Sequence, residues 1–326
     1  MSMKDFLSLI SHNPLETAAI GSSLAKSLYD PQSPILLTGE LGAGKTTFAQ
    51  GLARGLGIQD TVTSPTFALE QRYEEKFLHI DLYRLHGKST EEILRGSEEF
   101  PGIRLIEWPE RTQMQDDHAI DISITPLSEA ERTIDIDFCD AEVPSDDQIQ
   151  EWIDEIDVLS NIRAHIELVA ECAEKCSAAL LKRQIIVRPK ALRAAALLHD
   201  LFRFLDFPKD EKKEEPPSWN AFRDRFQSNH EKAAQEFLNE KGFPVIGSII
   251  RTHGAPRKED DKPITTEQKI LSYCDKRALH DTLVSVDERF DDFLIRSRTS
   301  TPEFLEEWRA MTKNIEKELF EGDLPF

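Results

Sequence analysis

The sequence predicts two folds in tandem: an α/β fold over residues 1–143, its mixed sheet parallel at the centre and antiparallel at an edge, and an all-α helical bundle over residues 154–326. Three observations carry this. Short apolar runs alternate with helical periodicity through the first half, the pattern of a layered α/β sheet. Strand signals then stop, and helical periodicity fills the second half. Between the two, CDAEVPSDDQIQ (139–150) is polar, acidic and proline-bearing, and an acidic linker is placed at residues 144–153.

The elements follow in order. PILLT (34–38) is a short apolar run bounded by Pro and Gly, as expected of a strand buried on both faces. Residues 46–56 read as a helix. FLHID (77–81) and IRLIE (103–107) are two further apolar runs, each ending in a carboxylate. IDISI and TIDIDF alternate apolar with polar residues, and PLSEAE between them fits the turn of an antiparallel pair. Beyond the linker, segments 151–182, 190–205, 219–241, 243–253, 265–283 and 301–320 read as helices. The last carries an apolar stripe of Phe304, Leu305, Trp308, Met311, Ile315 and Leu319, with Thr301-Pro302 as N-cap and first-turn proline. Charged, proline-bearing loops fall at 206–218 and 254–264.

Composition narrows the function. The 326 residues suffice for two domains, and 39% hydrophobic content is compatible with packed cores. The net charge is −20, and the stretch from Asp116 to Asp157 holds fifteen acids against one basic residue, Arg132. A chain without basic excess does not grip bare nucleic acid by its phosphates, so any nucleic-acid role is expected to be indirect. The four cysteines are too few and too irregular for a disulfide framework. Cys172 and Cys176 share one face if their segment is helical, and they read as small buried side chains rather than metal ligands. MSMKDFLSLI is not a signal peptide, and no apolar stretch approaches membrane-spanning length, so the expected location is the cytosol, with no membrane partner.

Gly39-Glu40-Leu41-Gly42-Ala43-Gly44-Lys45-Thr46 matches G-x-x-x-x-G-K-[ST] in full, after an apolar strand and at the start of a helix. The glycines let backbone N–H groups point at phosphate oxygens, and the helix adds its positive end. Lys45 would reach the terminal phosphates, and Thr46 would place its hydroxyl on Mg²⁺. Magnesium takes one or two carboxylates, expected at the C-terminal ends of strands beside the loop. Asp81 and Glu107 hold such positions; the bland alternative is a strand-end acid facing solvent. No N-K-x-D guanine signature occurs in the chain.

GELGAGKTTFAQG, SPTF (64–67), HIDLYRL (79–85) and EWPER (107–111) together resemble the TsaE family, the P-loop ATPases of bacterial tRNA threonylcarbamoyladenosine (t6A) biosynthesis. The resemblance covers about residues 10–138 and implies a P-loop NTPase fold. It implies ATP and Mg²⁺ as cofactors, and a nucleotide site built from Gly39, Glu40, Gly42, Ala43, Gly44, Lys45, Thr46 and Thr47. Thr66 would lie near the γ-phosphate in a switch segment, and Trp108 near the nucleotide. Thr46, Asp81 and Glu107 would coordinate or orient Mg²⁺ and the attacking water, the two acids being catalytic. The implied partners are TsaD and TsaB, with tRNA engaged only indirectly. The segment between Leu85 and Glu107 does not align closely, and no role is assigned within it.

The second half carries His165, His199-Asp200, His230, His253 and Asp275, one or two per expected helix. Each alone reads as an ordinary buried or surface residue, as do His12, His86, His118 and His280. As a set, imidazoles and carboxylates converging in a helical bundle suit one or two ions of Fe, Mn, Co or Zn type, with Asp200 bridging. Their order and apolar surroundings (NIRAHIELVAECA, AALLHDLFRF, SNHEKAAQEFL, IIRTHGAPR, ILSYCDKRALHD) resemble the HD phosphohydrolase superfamily over about residues 155–295. The resemblance implies metal-assisted hydrolysis of a small nucleotide or related phosphate ester, with Asp200 catalytic. Arg203 is either a contact to a substrate phosphate or a solvated surface arginine. The expectation for the whole chain is an ATPase of t6A synthesis carrying a second hydrolase. The alternatives are a stand-alone HD hydrolase regulated by an ATP-sensing domain, and an ATPase with a non-catalytic HD docking domain.

Overall fold

The computed structural model describes residues 3–85, 88–112, 117–207, 215–256, 258–296 and 300–326; His86 and residues 208–214 of the expected loop at 206–218 lie outside them. The chain divides into two compact units, one comprising Lys4–Ala141 with Arg183–Ile186, the other the remainder.

The first unit is built on seven strands: β1 (Met3–Ser11), β2 (Ile35–Thr38), β3 (Glu70–Tyr73), β4 (Phe77–Asp81), β5 (Ile103–Glu107), β6 (Ile120–Pro126) and β7 (Arg132–Val143). They form one sheet in the order β1-β7-β6-β2-β5-β4-β3. The centre is parallel: β2 pairs with β5 and with β6, and β5 with β4. Antiparallel pairs flank it on both sides, β3 on β4 and β7 on β6. Strands β4 and β5 are buried at every position, which explains their unbroken apolar runs, whereas β6 alternates.

Strand β1 has no counterpart among the sequence expectations, and its residues show why. Its inward positions hold Asp5 and Ser11 beside Leu7 and Leu9, while Phe6 and Ile10 face out. Polar residues inside and apolar ones outside cancel the period-two signal.

Three helices accompany the sheet: α1 (Pro14–Leu24), capped by Asn13; α2 (Lys45–Gly55); and α3 (Lys88–Ser97). Ile93 and Leu94 of α3 pack on a cluster that includes Leu36, Leu78, Ile80 and Ile106. Helices α1 and α2 cross closely: a Cβ on Gly51 would lie 1.9 Å from the Ala18 carbonyl oxygen, and one on Gly21 would lie 2.3 Å from that of Phe48. Only glycine at both crossings lets the backbones approach this far.

The second unit is helical: α4 (Asp146–Glu155), α5 (Ser160–Lys182), α6 (Pro189–Leu198), α7 (Pro217–Arg225), α8 (His230–Glu240), α9 (Pro244–Ile250), α10 (Thr266–Asp275), α11 (Val286–Arg296) and α12 (Pro302–Phe320). A two-strand hairpin, β8 (Ala278–Leu279) with β9 (Thr282–Leu283), is its only sheet among the described residues. The stretch expected as a linker, 144–153, holds most of α4. Ser145 and Gln148 close a capping box, and Ile149, Trp152 and Ile153 are buried. Its acidic composition concealed an amphipathic helix with its acids in the first turn, where the helix dipole favours them. The expected helices 151–182, 190–205, 219–241 and 265–283 are each interrupted: the first between Glu155 and Ser160, away from any expected ligand, and the others just after Leu198, just before His230 and just after Asp275, beside expected metal ligands. No helix among the described residues is long and apolar enough to cross a membrane.

Candidate functional site

In the first unit the register aligns the chemistry. Glu107 pairs with Leu37 on one side and with Asp81 on the other. Because the three strands run parallel, both acids emerge at the edge where β2 opens into the glycine loop. Gly39, Gly42 and Gly44 all take positive φ, at 146°, 82° and 114°, so the loop can turn its amides toward the start of α2. A cavity of about 460 Å³ lies there, lined by Gly42, Gly44, Lys45, Thr46, Thr47, Thr66, Asp81, Glu107 and Trp108 among others. That size suits a small ligand. Gly39, Glu40 and Ala43 do not line it: Glu40 is exposed and Ala43 is fully buried under the loop.

Lys45 is buried, and its Nζ donates to the carbonyls of Gly39 (2.7 Å) and Glu40 (3.1 Å). The ammonium stands 3.8 Å over the Trp108 ring. Burial pushes the Lys45 ammonium below its ordinary pKa, against the pull of Glu107, Asp81 and Glu110. Trp108 itself is held at φ 60°, a left-handed conformation that a bulky residue adopts only under constraint, and its N–H donates to the Leu37 carbonyl. Asp81 accepts from the Thr66 hydroxyl (2.5 Å), the Ser64 hydroxyl (3.4 Å) and the Tyr83 N–H (2.9 Å). The SPTF segment is thereby tied to one of the two acids.

Two residues of this site escaped sequence reasoning. Arg132, the single basic residue of the acidic stretch, donates from Nε to the Ala43 carbonyl at 2.8 Å and braces the loop. His79 is fully buried, with Nε2 2.9 Å from Glu107 Oε1 and Nδ1 unpartnered. A histidine inside a strand buried on both faces needs a polar partner, and that was the available signal.

In the second unit the six expected ligands converge, five of them at helix ends and His165 from within α5. His165 comes from α5, His199-Asp200 directly follow α6, His230 opens α8, His253 follows α9, and Asp275 closes α10. His199 Nδ1 and His253 Nδ1 each lie 2.7 Å from the carbonyl three residues back, Ala196 and Ile250. A helix C-terminus leaves such carbonyls free, and the contact fixes both rings with Nε2 turned inward. Asp200 divides its oxygens between two groups. Oδ2 lies 3.9 Å from the Nε2 atoms of both His165 and His199, while Oδ1 lies 3.2 Å from that of His230 and 3.7 Å from that of His253. Asp275 Oδ1 is 3.1 Å from His165 and 3.8 Å from His199.

The electrostatics suit a cation. Burial holds His199 down to about 3, so its ring is neutral, and its Nε2 is buried without a hydrogen-bond partner. Burial opposes ionisation of Asp200, but the hydrogen bond from His230 and the nearby positive charge of Arg203 outweigh it and hold the carboxyl well below the usual range. The donor set fits one or two divalent cations. Lys276, also buried, bonds to the Asp275 carboxylate and to the His253 carbonyl. Asp206 and Glu231 were not anticipated. Asp206 Oδ2 is 2.7 Å from His230 Nδ1, and Glu231 Oε2 is 3.3 Å from it. Arg203 opens a short 3₁₀ turn, with Nη1 donating to Asp206 Oδ2 at 3.1 Å and lying 3.4 Å from the His230 ring nitrogens.

Comparison with known proteins matches residues 11–134 to the family model "Threonylcarbamoyl adenosine biosynthesis protein TsaE" and residues 150–279 to the HD domain. Three curated relatives bear the name tRNA threonylcarbamoyladenosine biosynthesis protein TsaE. That of Treponema pallidum is 37% identical over 39% of this chain and 97% of its own length. That of a Nostoc strain is 42% identical over 32% of this chain and 69% of its own. That of Bacillus subtilis is 41% identical over 29% of this chain and 62% of its own.

Proposed function

The chain belongs to the TsaE family and carries an HD domain, and from that premise we propose that it is a two-centre hydrolase, with an ATPase of t6A synthesis in its first unit and a metal-dependent phosphohydrolase in its second. For the ATPase, the supporting observation is the alignment of Asp81 and Glu107 beside the loop. The loop amides and Lys45 receive the phosphates, Lys45 exchanging the Gly39 and Glu40 carbonyls for phosphate oxygens. Thr46, Asp81 and Glu107 are the residues that would hold Mg²⁺, whose charge would offset that of the phosphates. Thr66 gives up Asp81 when a nucleotide enters, and the SPTF segment reports that change to the partners TsaD and TsaB. With fifteen acids between Asp116 and Asp157, the chain engages tRNA through those partners rather than directly.

For the second centre, the observation that carries the reading is the division of Asp200 between two histidine pairs. His165, His199 and Asp275 would hold one cation and His230 and His253 another, with Asp200 placed to serve both groups. Divalent ions held there would supply an activated water and stabilisation of charge on a phosphoryl group. Asp206 fixes the orientation of His230, and Lys276 restrains Asp275. Arg203 stands at the edge of the cluster and contacts a phosphate of a small nucleotide or related ester. The test is metal analysis of the purified chain, together with phosphate release from a nucleotide panel. Stoichiometric Fe, Mn, Co or Zn with hydrolysis of at least one nucleotide is expected. Absence of both would overturn the phosphohydrolase reading.

A further inference from the structure

The second unit holds a further cluster that neither centre uses. Cys172 and Cys176 lie one turn apart on α5, and Cys274 approaches them from α10. All three are fully buried and none is in a disulfide. Sequence alone shows only the α5 pair, which reads as core filling; the fold adds the third thiol, ninety-eight residues on from Cys176.

The distances suit a shared ion. Cys176 Sγ and Cys274 Sγ are 3.7 Å apart, and all three sulfurs lie within 4.8 Å of one another. A metal–sulfur bond of about 2.3 Å places the sulfurs of one trigonal or tetrahedral site roughly 3.8–4.0 Å apart. A disulfide needs about 2.05 Å. The sulfurs therefore stand at the spacing of co-ligands and well beyond that of a bond.

Charge supports the same conclusion. Three thiolates leave one net negative charge around a divalent ion and two around a monovalent one, which buried surroundings tolerate only beside a compensating cation. Arg277, itself buried, donates its backbone N–H to the Cys274 carbonyl at 3.0 Å, so a cationic residue adjoins the cluster. From these observations we propose that Cys172, Cys176 and Cys274 form a binding site for a soft d¹⁰ cation of the Zn²⁺ or Cu⁺ type, separate from the histidine centre. Because Cys274 immediately precedes Asp275, an ion there would anchor the end of α10 that presents a ligand to the histidine centre.

The test uses the full chain, reduced and stripped of metal, titrated with Cd²⁺ as the spectroscopic probe. A thiolate-to-metal charge-transfer band should appear and saturate at one ion per chain. It should be lost in Cys274→Ala and in Cys176→Ala, and persist in His199→Ala combined with Asp200→Ala. Displacement of Cd²⁺ by Zn²⁺, or by Cu⁺ supplied against a competing chelator, identifies the ion. No band in the wild-type chain overturns the proposal, whatever the variants do. So does a band that survives loss of Cys274, or Cd²⁺ that neither ion displaces.

Discussion

Lys45 and His199 are buried polar residues at the heart of the two proposed centres. Lys45 satisfies its ammonium on two carbonyls of its own loop and the Trp108 ring. A phosphate replaces those partners with charge-assisted bonds, the stronger kind. Lys45→Ala should therefore weaken ATP binding by roughly two orders of magnitude, about the loss of one or two such bonds. Calorimetric titration with ATP and Mg²⁺ checks this, and undiminished affinity would mean that the loop does not hold the phosphates. At the other centre, Asp206 stands behind His230, 2.7 Å from the ring nitrogen that faces away from Asp200. Removing such a supporting carboxylate typically costs about 10–100-fold in metal affinity. Asp206→Ala should show a loss of that size in chelator competition, with ATP binding unchanged. Equal affinity in the two proteins would show that Asp206 does not orient the ligand.

At the scale of elements, the sequence made some features plain and hid others for definite reasons. Strands β2, β4 and β5, the hairpin of β6 and β7, and helices α2 and α12 were legible because burial on one or both faces writes a clear period. Helix breaks at the ligands were not legible. A periodic pattern runs past His199 and Asp275, where helices end, and across 226–229, where a new helix begins at His230; these boundaries depend on tertiary contacts that no sequence period carries. Strand β1 was masked by Asp5 and Ser11 inside and Phe6 and Ile10 outside. Helix α4 was masked by acids, although its S-x-x-Q capping box at Ser145 was readable. The ligand set itself was legible as residue types; Asp206, Glu231, His79 and Arg132 were not, because their roles depend on contacts with no sequence spacing. The crossing of α1 and α2 gives a prediction at this scale. Gly51→Ala places a methyl 1.9 Å from a backbone oxygen, which no rotamer change relieves. The helices must separate, at a cost of about 1–3 kcal/mol or more. Urea denaturation should show a lowered midpoint, and an unchanged one would mean that the two helices are free to shift.

At the scale of the molecule, the two centres fall in separate compact units, each with its own core. The nucleotide loop and the histidine cluster share no residue, so disabling one should leave the chemistry of the other intact. The net charge of −20 fits the proposed role, which rests on ATP and does not require direct capture of tRNA. The most direct measurement is the t6A content of tRNA in a bacterial strain that lacks its own TsaE and is supplied with the full chain. Wild type, and the variant carrying His199→Ala with Asp200→Ala, should restore the modification, while Lys45→Ala should not. Restoration by Lys45→Ala, or failure of the folded wild-type chain, would contradict the account.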